Sequence, residues 1–399
     1  MESAAFDRLS DDMGRNILSK LPLKTLVRFM SVSDRWKDAA REIVEERKEK
    51  MKGLVLVNFV SIDFPGMYIP RYAYVSQNSG GGAGSDVEGM LDLMEYVPVK
   101  HFTVRDVCNG LLLCVGISTT AVDENGDPVA NFYVCNPVTR QWAVLPESPP
   151  ASSRDLVDVL AFDPTVSHYK VLRWYGSEAT RQGQQQYVEA DVYCSSSGTW
   201  SRRRVPLQRR KKNITCPTRT TPSSTFLKGF VFRLADPNAV IAVDVSGDRI
   251  PSAHVIDLPF QKNDPPVHRC LAKWPVESLC CVDYNKTRIE MWVLEDFPAK
   301  TKWEMKRAVS VERLTAMMPM ASVVKKKEKP LLPVTMMFRG RVRGEEEIVV
   351  VLEVPDGVAC YNLRTSEVEG VYPLDYLRRK NIPFRDVIAY PFYPCLCSP

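Results

Sequence analysis

The sequence predicts an α+β chain of two domains: three short helices within residues 1–50, then an all-β, propeller-like domain over 105–397. A less regular stretch, 51–104, connects them. Three observations carry this reading. Apolar residues at helical spacing dominate the first 45 positions. Near residue 105 the texture turns to short strands with tight turns. A strand–turn–strand unit then recurs with a period of roughly 50–60 residues, the size of a kelch-type propeller blade.

Ile17, Leu18 and Leu21 fall on one helical face. Ser10 is the expected N-cap, and Asp11 and Asp12 suit the positive end of the first turn. Pro22 disfavours helix at Leu21 and marks the stop. A second short helix is expected to carry Leu26, Val27 and Phe29, and Ser33 to cap a third with a Trp36, Ala39, Ala40, Ile43, Val44 stripe. Gly14 sits inside the first helix at roughly 1 kcal/mol cost relative to alanine, away from the apolar face. Three helices in so few residues form a marginal domain unless something covers them. That is the signature of a docking module.

In the connecting stretch, Met51–Phe64 reads as a strand, a candidate for closing a ring, and Asn78–Ser85 as a glycine-rich loop. Beyond it the recurring unit is an apolar strand, a turn rich in Asn, Asp, Ser, Thr or Gly, a strand often carrying Trp, then Leu-Pro. Instances are Phe132–Pro146, Ala190–Leu207, Ala239–Pro259, Arg288–Trp303 and Val358–Leu374. Short upstream strands at Asn109–Cys114, Lys228–Phe232 and Ser278–Val282 are expected to supply the inner strands of blades. Radial sheets leave only short, protected edges, which is the physical merit of such a ring. A β-sandwich with coincidental tryptophan turns is the competing reading.

The 399 residues are 45% apolar and 25% charged, an ordinary globular composition, and a net charge of +5 says little about nucleic acid. No run approaches the length needed to span a membrane. The cysteine count, 11, is odd and irregularly spaced. Cys108, Cys114, Cys135, Cys194, Cys280, Cys281 and Cys360 lie in strand-like runs, where cysteine acts as a small hydrophobe. A reducing compartment, cytoplasm or nucleus, is expected.

Nothing forms a catalytic constellation. The four histidines, at 101, 168, 254 and 268, lack metal-ligand spacing. Cys395 and Cys397 have no second pair, so tail packing is favoured over zinc. No phosphate loop or nucleophile elbow is present. Asp155 and Asp158, or Glu345–Glu347, read as loop carboxylates. The basic run Arg202–Lys212 and Lys325–Lys327 fit an exposed edge strand and loop, where cations deter edge pairing, better than a nuclear signal or a phosphate patch.

Leu9, Asp11-Asp12, Ile17-Leu18-Ser-Lys-Leu21-Pro22, Leu26-Val27-Arg28-Phe29, Val32-Ser33 and Trp36 together resemble an F-box. Ser10, where the family usually has proline, and Gly14 depart from the pattern. The second region is similar to the F-box-associated, kelch-like domain of plant F-box proteins. The resemblance rests on Cys108-Asn109-Gly110-Leu111-Leu112, Asn136-Pro137-x-Thr139-x-x-Trp142, Ala161-Phe162-Asp163-Pro164 with Tyr169-Lys170-Val171, Val243-Asp244, Ile289-Glu290-x-Trp292-Val293-Leu294 and Tyr390-x-x-Tyr393.

The resemblance implies a non-catalytic subunit of a Skp–cullin–F-box ubiquitin ligase. It would bind a Skp-type adaptor, through it a cullin scaffold, and an unidentified target protein through the β-domain. Leu9, Ile17, Leu18, Leu21, Pro22, Leu26, Val32 and Trp36 are the expected adaptor contacts. No cofactor, metal, membrane or nucleic-acid partner is expected. The alternatives are a free-standing glycan-, RNA- or protein-binding propeller, and a copper oxidase propeller, which would need clustered His and Tyr ligands.

Overall fold

A computed structural model describes residues 10–21, 25–26, 34–50, 52–61, 68–76, 97, 99–122, 128–149, 156–166, 168–175, 180–182, 185–207, 224–236, 238–247, 253–260, 268–275, 278–318, 332–354, 357–373, 387–395 and 397–399. Among them are helices α1 (Asp11–Leu18) and α2 (Asp34–Lys50), then strands β1 (Gly53–Ser61) and β2 (Tyr68–Ser76).

Four-stranded sheets follow in order along the chain. The first is β3 (Val99–Cys108), β4 (Leu111–Val122), β5 (Pro128–Asn136) and β6 (Gln141–Val144). The second is β7 (Leu156–Phe162), β8 (Tyr169–Tyr175), β10 (Gln185–Cys194) and β11 (Thr199–Pro206), with short β9 (Thr180–Gln182) added on β10. The third is β12 (Ser224–Leu227), β13 (Phe230–Ala235), β14 (Ala239–Asp244) and β15 (Ala253–Asp257). The fourth is β16 (His268–Trp274), β17 (Ser278–Tyr284), β18 (Arg288–Glu295) and β19 (Lys302–Ser310), after which comes α3 (Val311–Met317). The fifth is β20 (Leu332–Val342), β21 (Glu345–Val354), β22 (Gly357–Asn362) and β23 (Glu367–Pro373).

These five blades form a β-propeller, and the last strand, β24 (Val387–Phe392), pairs antiparallel with β1 in a three-stranded sheet, β2-β1-β24, that closes the circle. The innermost strands β3, β7, β12, β16, β20 and β24 neighbour one another around the axis. The strand expected in Met51–Phe64 is thus a closing strand. The all-β part begins at Gly53, upstream of the texture change near 105. The glycine-rich stretch Asn78–Ser85 lies outside the described residues.

Every blade is covered on both faces, so its middle strands are buried at consecutive positions instead of alternating. Ala239–Val243 and Gly357–Asn362 are buried throughout. Leu113, Trp174 and Val231 belong to a layer joining the first three blades, Val240 and Leu279 to one joining the third and fourth. Met291 and Val350 join the fourth and fifth, and Val55, Phe102 and Phe392 seal the closing sheet onto the first blade. Outer strands look different: β11 carries Arg202, Arg203 and Arg204, and β19 is mostly polar. The described part of the basic run is therefore an edge strand.

The recurring tryptophan acts as a clasp between blades. Trp200 Nε1 on β11 donates to the Pro146 carbonyl just after β6, at 2.8 Å. Trp303 Nε1 on β19 donates to the Asp257 carbonyl at the end of β15, at 2.9 Å. Each ties an outer strand to the Leu-Pro end of the preceding blade, so both halves of the repeated pattern meet in one hydrogen bond.

One expectation is corrected. Asn109–Cys114, Lys228–Phe232 and Ser278–Val282 fall in the turns before β4, β13 and β17 and in those strands, which are second in their blades. The innermost strands line the axis and carry polar residues such as Asp106, Ser224, Lys273 and Thr335. That polarity hides them from a search for apolar runs.

Candidate functional site

Two places gather chemistry: the N-terminal helices and the propeller axis. In α1, Ser10 is the N-cap, its Oγ accepting from Met13 N at 3.3 Å, with Asp11 and Asp12 in the first turn. Leu18, Leu26, Trp36, Ala40, Ile43 and Val44 make a small core, with Leu21 and Ala39 packed at its edge. Arg47 Nη1 donates to the Leu21 carbonyl at 2.6 Å, fastening α2 to the end of α1.

Gly14 is buried beneath the indole of Trp36. A Cβ built on Gly14 would fall 1.6 Å from Cζ3 and 1.8 Å from Cη2 of that ring. The expectation that Gly14 lies away from the apolar face is overturned. It is the seat that lets α1 and α2 close on Trp36.

The expected adaptor contacts divide accordingly. Leu18, Leu26 and Trp36 are 3%, 0% and 6% exposed, so they fill the domain's own core and offer no surface. Ile17 is 42% exposed and Leu21 is half-buried. Leu9, Pro22 and Val32 lie outside the described residues. Met13, 60% exposed, was not among the expected contacts; it lies i, i+4 from Ile17, which puts both on the outward face.

At the axis, a cavity of about 60 Å³ is lined from all six innermost strands. Lys273 Nζ donates to Asn109 Oδ1 at 2.9 Å, and Asn109 Nδ2 to the Phe162 carbonyl at 2.6 Å. Asp106 accepts from Val107 N at 2.8 Å and Leu160 N at 2.7 Å. Tyr390 donates to the Arg105 carbonyl at 2.7 Å, crossing from β24 to β3. Burial pushes the Asp106 carboxyl up to about 7, against the two backbone amides and the Lys273 charge, which pull it down. A polar space of this size holds a few waters or a small ion, whereas ligand sites for whole molecules run to ~300 Å³ and more. A whole macromolecule does not fit inside it.

The turn motifs have structural work. Asn109 (φ 46°) and Gly110 (φ 89°) turn the β3–β4 hairpin with two left-handed residues. A Cβ on Gly110 would lie 2.6 Å from Cys395 N and from the Tyr393 carbonyl oxygen, because the C-terminal tail runs directly over the turn. Asn136 holds the same tail, its Nδ2 donating to the Cys395 and Cys397 carbonyls at 3.1 and 2.7 Å. Its Oδ1 accepts from Val138 N at 2.9 Å. Cys395 and Cys397 thus serve tail packing. Among the described residues no group of three or more His, Cys, Asp or Glu side chains could hold a metal ion. Nor is any described helix long and apolar enough to cross a membrane.

Residues 6–45 match the F-box domain model. Residues 89–324, more than half of the chain, match the model of the F-box protein At3g26010-like β-propeller. The chain belongs to that family. Among curated relatives of this At3g26010-like F-box protein, Arabidopsis thaliana F-box protein At3g26010 is 27% identical over 64% of this chain and 56% of its own length. Arabidopsis thaliana F-box protein At5g07610 is 30% identical over 49% of this chain and 45% of its own length. The chain spans about half the length of the curated relatives it matches. A solved chain from a nidogen/laminin complex superposes at TM-score 0.40 and 11% identity, covering 86% of this chain and 100% of that one.

Proposed function

We propose that this F-box propeller is the substrate-recognition subunit of a Skp–cullin–F-box ubiquitin ligase. The observation that carries the reading is the outward apolar ridge of Met13 and Ile17 on an F-box whose own core is already filled by Leu18, Leu26 and Trp36. Covering each of those two side chains is worth about 1.5–3 kcal/mol before association entropy is subtracted. Leu21, packed at the edge of that core, is half-buried. A Skp-type adaptor is the partner of that ridge, and a cullin scaffold is reached through it.

The propeller holds the target on its blade edges and turns. The chain does no bond chemistry of its own. It raises the effective concentration of a target lysine beside a charged conjugating enzyme. Cytoplasmic or nuclear residence belongs to the same reading.

The test is co-purification of the full chain with a Skp-type adaptor. Met13→Asp combined with Ile17→Asp is expected to cut adaptor recovery at least tenfold with the circular dichroism spectrum unchanged, since both side chains already face water. Equal recovery of variant and wild type refutes the proposal.

A further inference from the structure

A depression of about 240 Å³ opens on the second blade, where the β10–β11 turn meets the turn after β14. Lys170 and Arg203 are its charged lining, with hydroxyls from Ser196, Ser197, Thr199 and Ser201. No carboxylate lines it among the described residues.

The register of the edge strand explains the surplus charge. Arg202, Arg203 and Arg204 are consecutive on β11, so the middle one points to the opposite face from its neighbours. Arg202 and Arg204 meet acids on β10: Nε to Asp191 Oδ1 at 2.9 Å and Nε to Glu189 Oε1 at 3.0 Å. Arg203 is paired across the strands with Ala190, which brings no charge to it. Its guanidinium therefore faces the hydroxyl-lined depression and meets no acid among the described residues.

Lys170 is placed by carbonyls instead of acids. Its Nζ donates to the Val245 and Gly247 carbonyls of the third blade at 2.7 and 2.5 Å. Those bonds fix the ammonium, use two of its three donors and leave its charge intact. Ser197 Oγ and Thr199 Oγ1 lie 3.0 Å apart, one hydroxyl donating to the other. Cys194, on the same wall, reports the local field. Burial alone would raise its thiol, yet hydrogen bonds from Ser196 and Ser197 and the Lys170 charge bring it below the ordinary value. The wall favours negative charge.

We propose that this depression binds a phosphomonoester dianion. Arg203 offers a planar fork suited to two phosphate oxygens, Lys170 a point charge, and the hydroxyls the remaining donors. The space is below the ~300 Å³ of a site for a whole drug-sized molecule, so it takes the phosphate and the first atoms of its carrier. Both a phosphorylated side chain of a protein and a small sugar phosphate present that group.

Calorimetric titration of the full chain at fixed ionic strength tests the site with inorganic phosphate, a phosphoserine tripeptide, its unphosphorylated form, and ribose 5-phosphate. At least one phosphomonoester should bind tenfold or more tightly than the unphosphorylated tripeptide. Arg203→Ala and Lys170→Gln should each weaken it about tenfold, Arg203→Lys less, and Arg204→Ala, on the opposite face, not at all. Preference for the tripeptide identifies a protein source, preference for ribose 5-phosphate a small-molecule one. Absence of binding by every phosphate probe, or binding unchanged by Arg203→Ala, overturns the proposal. Adaptor recovery by Arg203→Ala should stay at the wild-type level, so this site and the adaptor ridge succeed or fail separately.

Discussion

Replacing Gly14 with alanine sets two physical effects against each other. Helix propensity favours the variant by about 1 kcal/mol, because alanine is the better interior helix residue. Packing opposes it. The new methyl would sit 1.6–1.8 Å from two carbons of the Trp36 ring, whereas carbon atoms rest at about 3.5–4.0 Å, so the indole must retreat by roughly 2 Å. Trp36 is 6% exposed, enclosed with Leu18, Leu26, Ala40, Ile43 and Val44, and has nowhere to go. Either the ring leaves the core or α1 separates from α2. Removing a large aromatic from a core costs about 3–5 kcal/mol, so the net expectation is about 2–4 kcal/mol of destabilisation. Urea unfolding followed at 222 nm reads this domain, because α1 and α2 hold most of the described helical residues. The same substitution in a Trp36→Leu background should cost far less, so the two destabilisations should be far from additive. A Gly14→Ala midpoint equal to or above wild type refutes the argument.

Asp106 gives a pH prediction with a definite sign. Its carboxyl is raised from 3.8 to about 7 by burial, so the folded chain holds that proton more tightly than the unfolded chain. The group costs nothing below about pH 4 and takes up to about 4 kcal/mol from stability as pH rises to 7 and beyond. Asp106→Asn should shrink the difference in urea midpoint between pH 4 and pH 8; an unchanged difference counts against the assignment. Trp200→Phe keeps a ring against Phe132 and Tyr193 but loses the bond to Pro146, and should lower propeller stability by about 1 kcal/mol in denaturant titration. No change would mean the clasp is incidental. Gly110→Ala combines a left-handed backbone with a backbone clash, a strain of about 1–3 kcal/mol, and should lift the tail from the β3–β4 turn. Carboxypeptidase should then trim the C-terminus faster than in wild type; equal resistance argues that the tail is held elsewhere.

Local signals in the chain were sufficient for several features. The Ser10 cap, the Trp36–Val44 stripe, the turn asparagines and the paired Trp and Leu-Pro positions are short-range patterns, each written within a few residues. The closing sheet is different. β1 meets β24 across almost the full chain length, and only the register of Leu54 against Pro391 and Val55 against Tyr390 establishes it. The inner strands were missed because an axis-lining strand trades apolar residues for Asp106, Ser224 and Lys273.

The order of residues alone marked the helices at Asp11–Leu18 and Asp34–Lys50, the apolar middle strands of the blades and many of their turns, because propensity and periodicity act over a single turn or hairpin. Only tertiary packing decided which face of each helix is spent inside. It turned Leu18, Leu26 and Trp36 inward, left Met13 and Ile17 in water and made Gly14 indispensable. It also decided that Arg203 meets no acid among the described residues while Arg202 and Arg204 are neutralised, because strand register, which depends on every pairing in the blade, sets what faces each side chain.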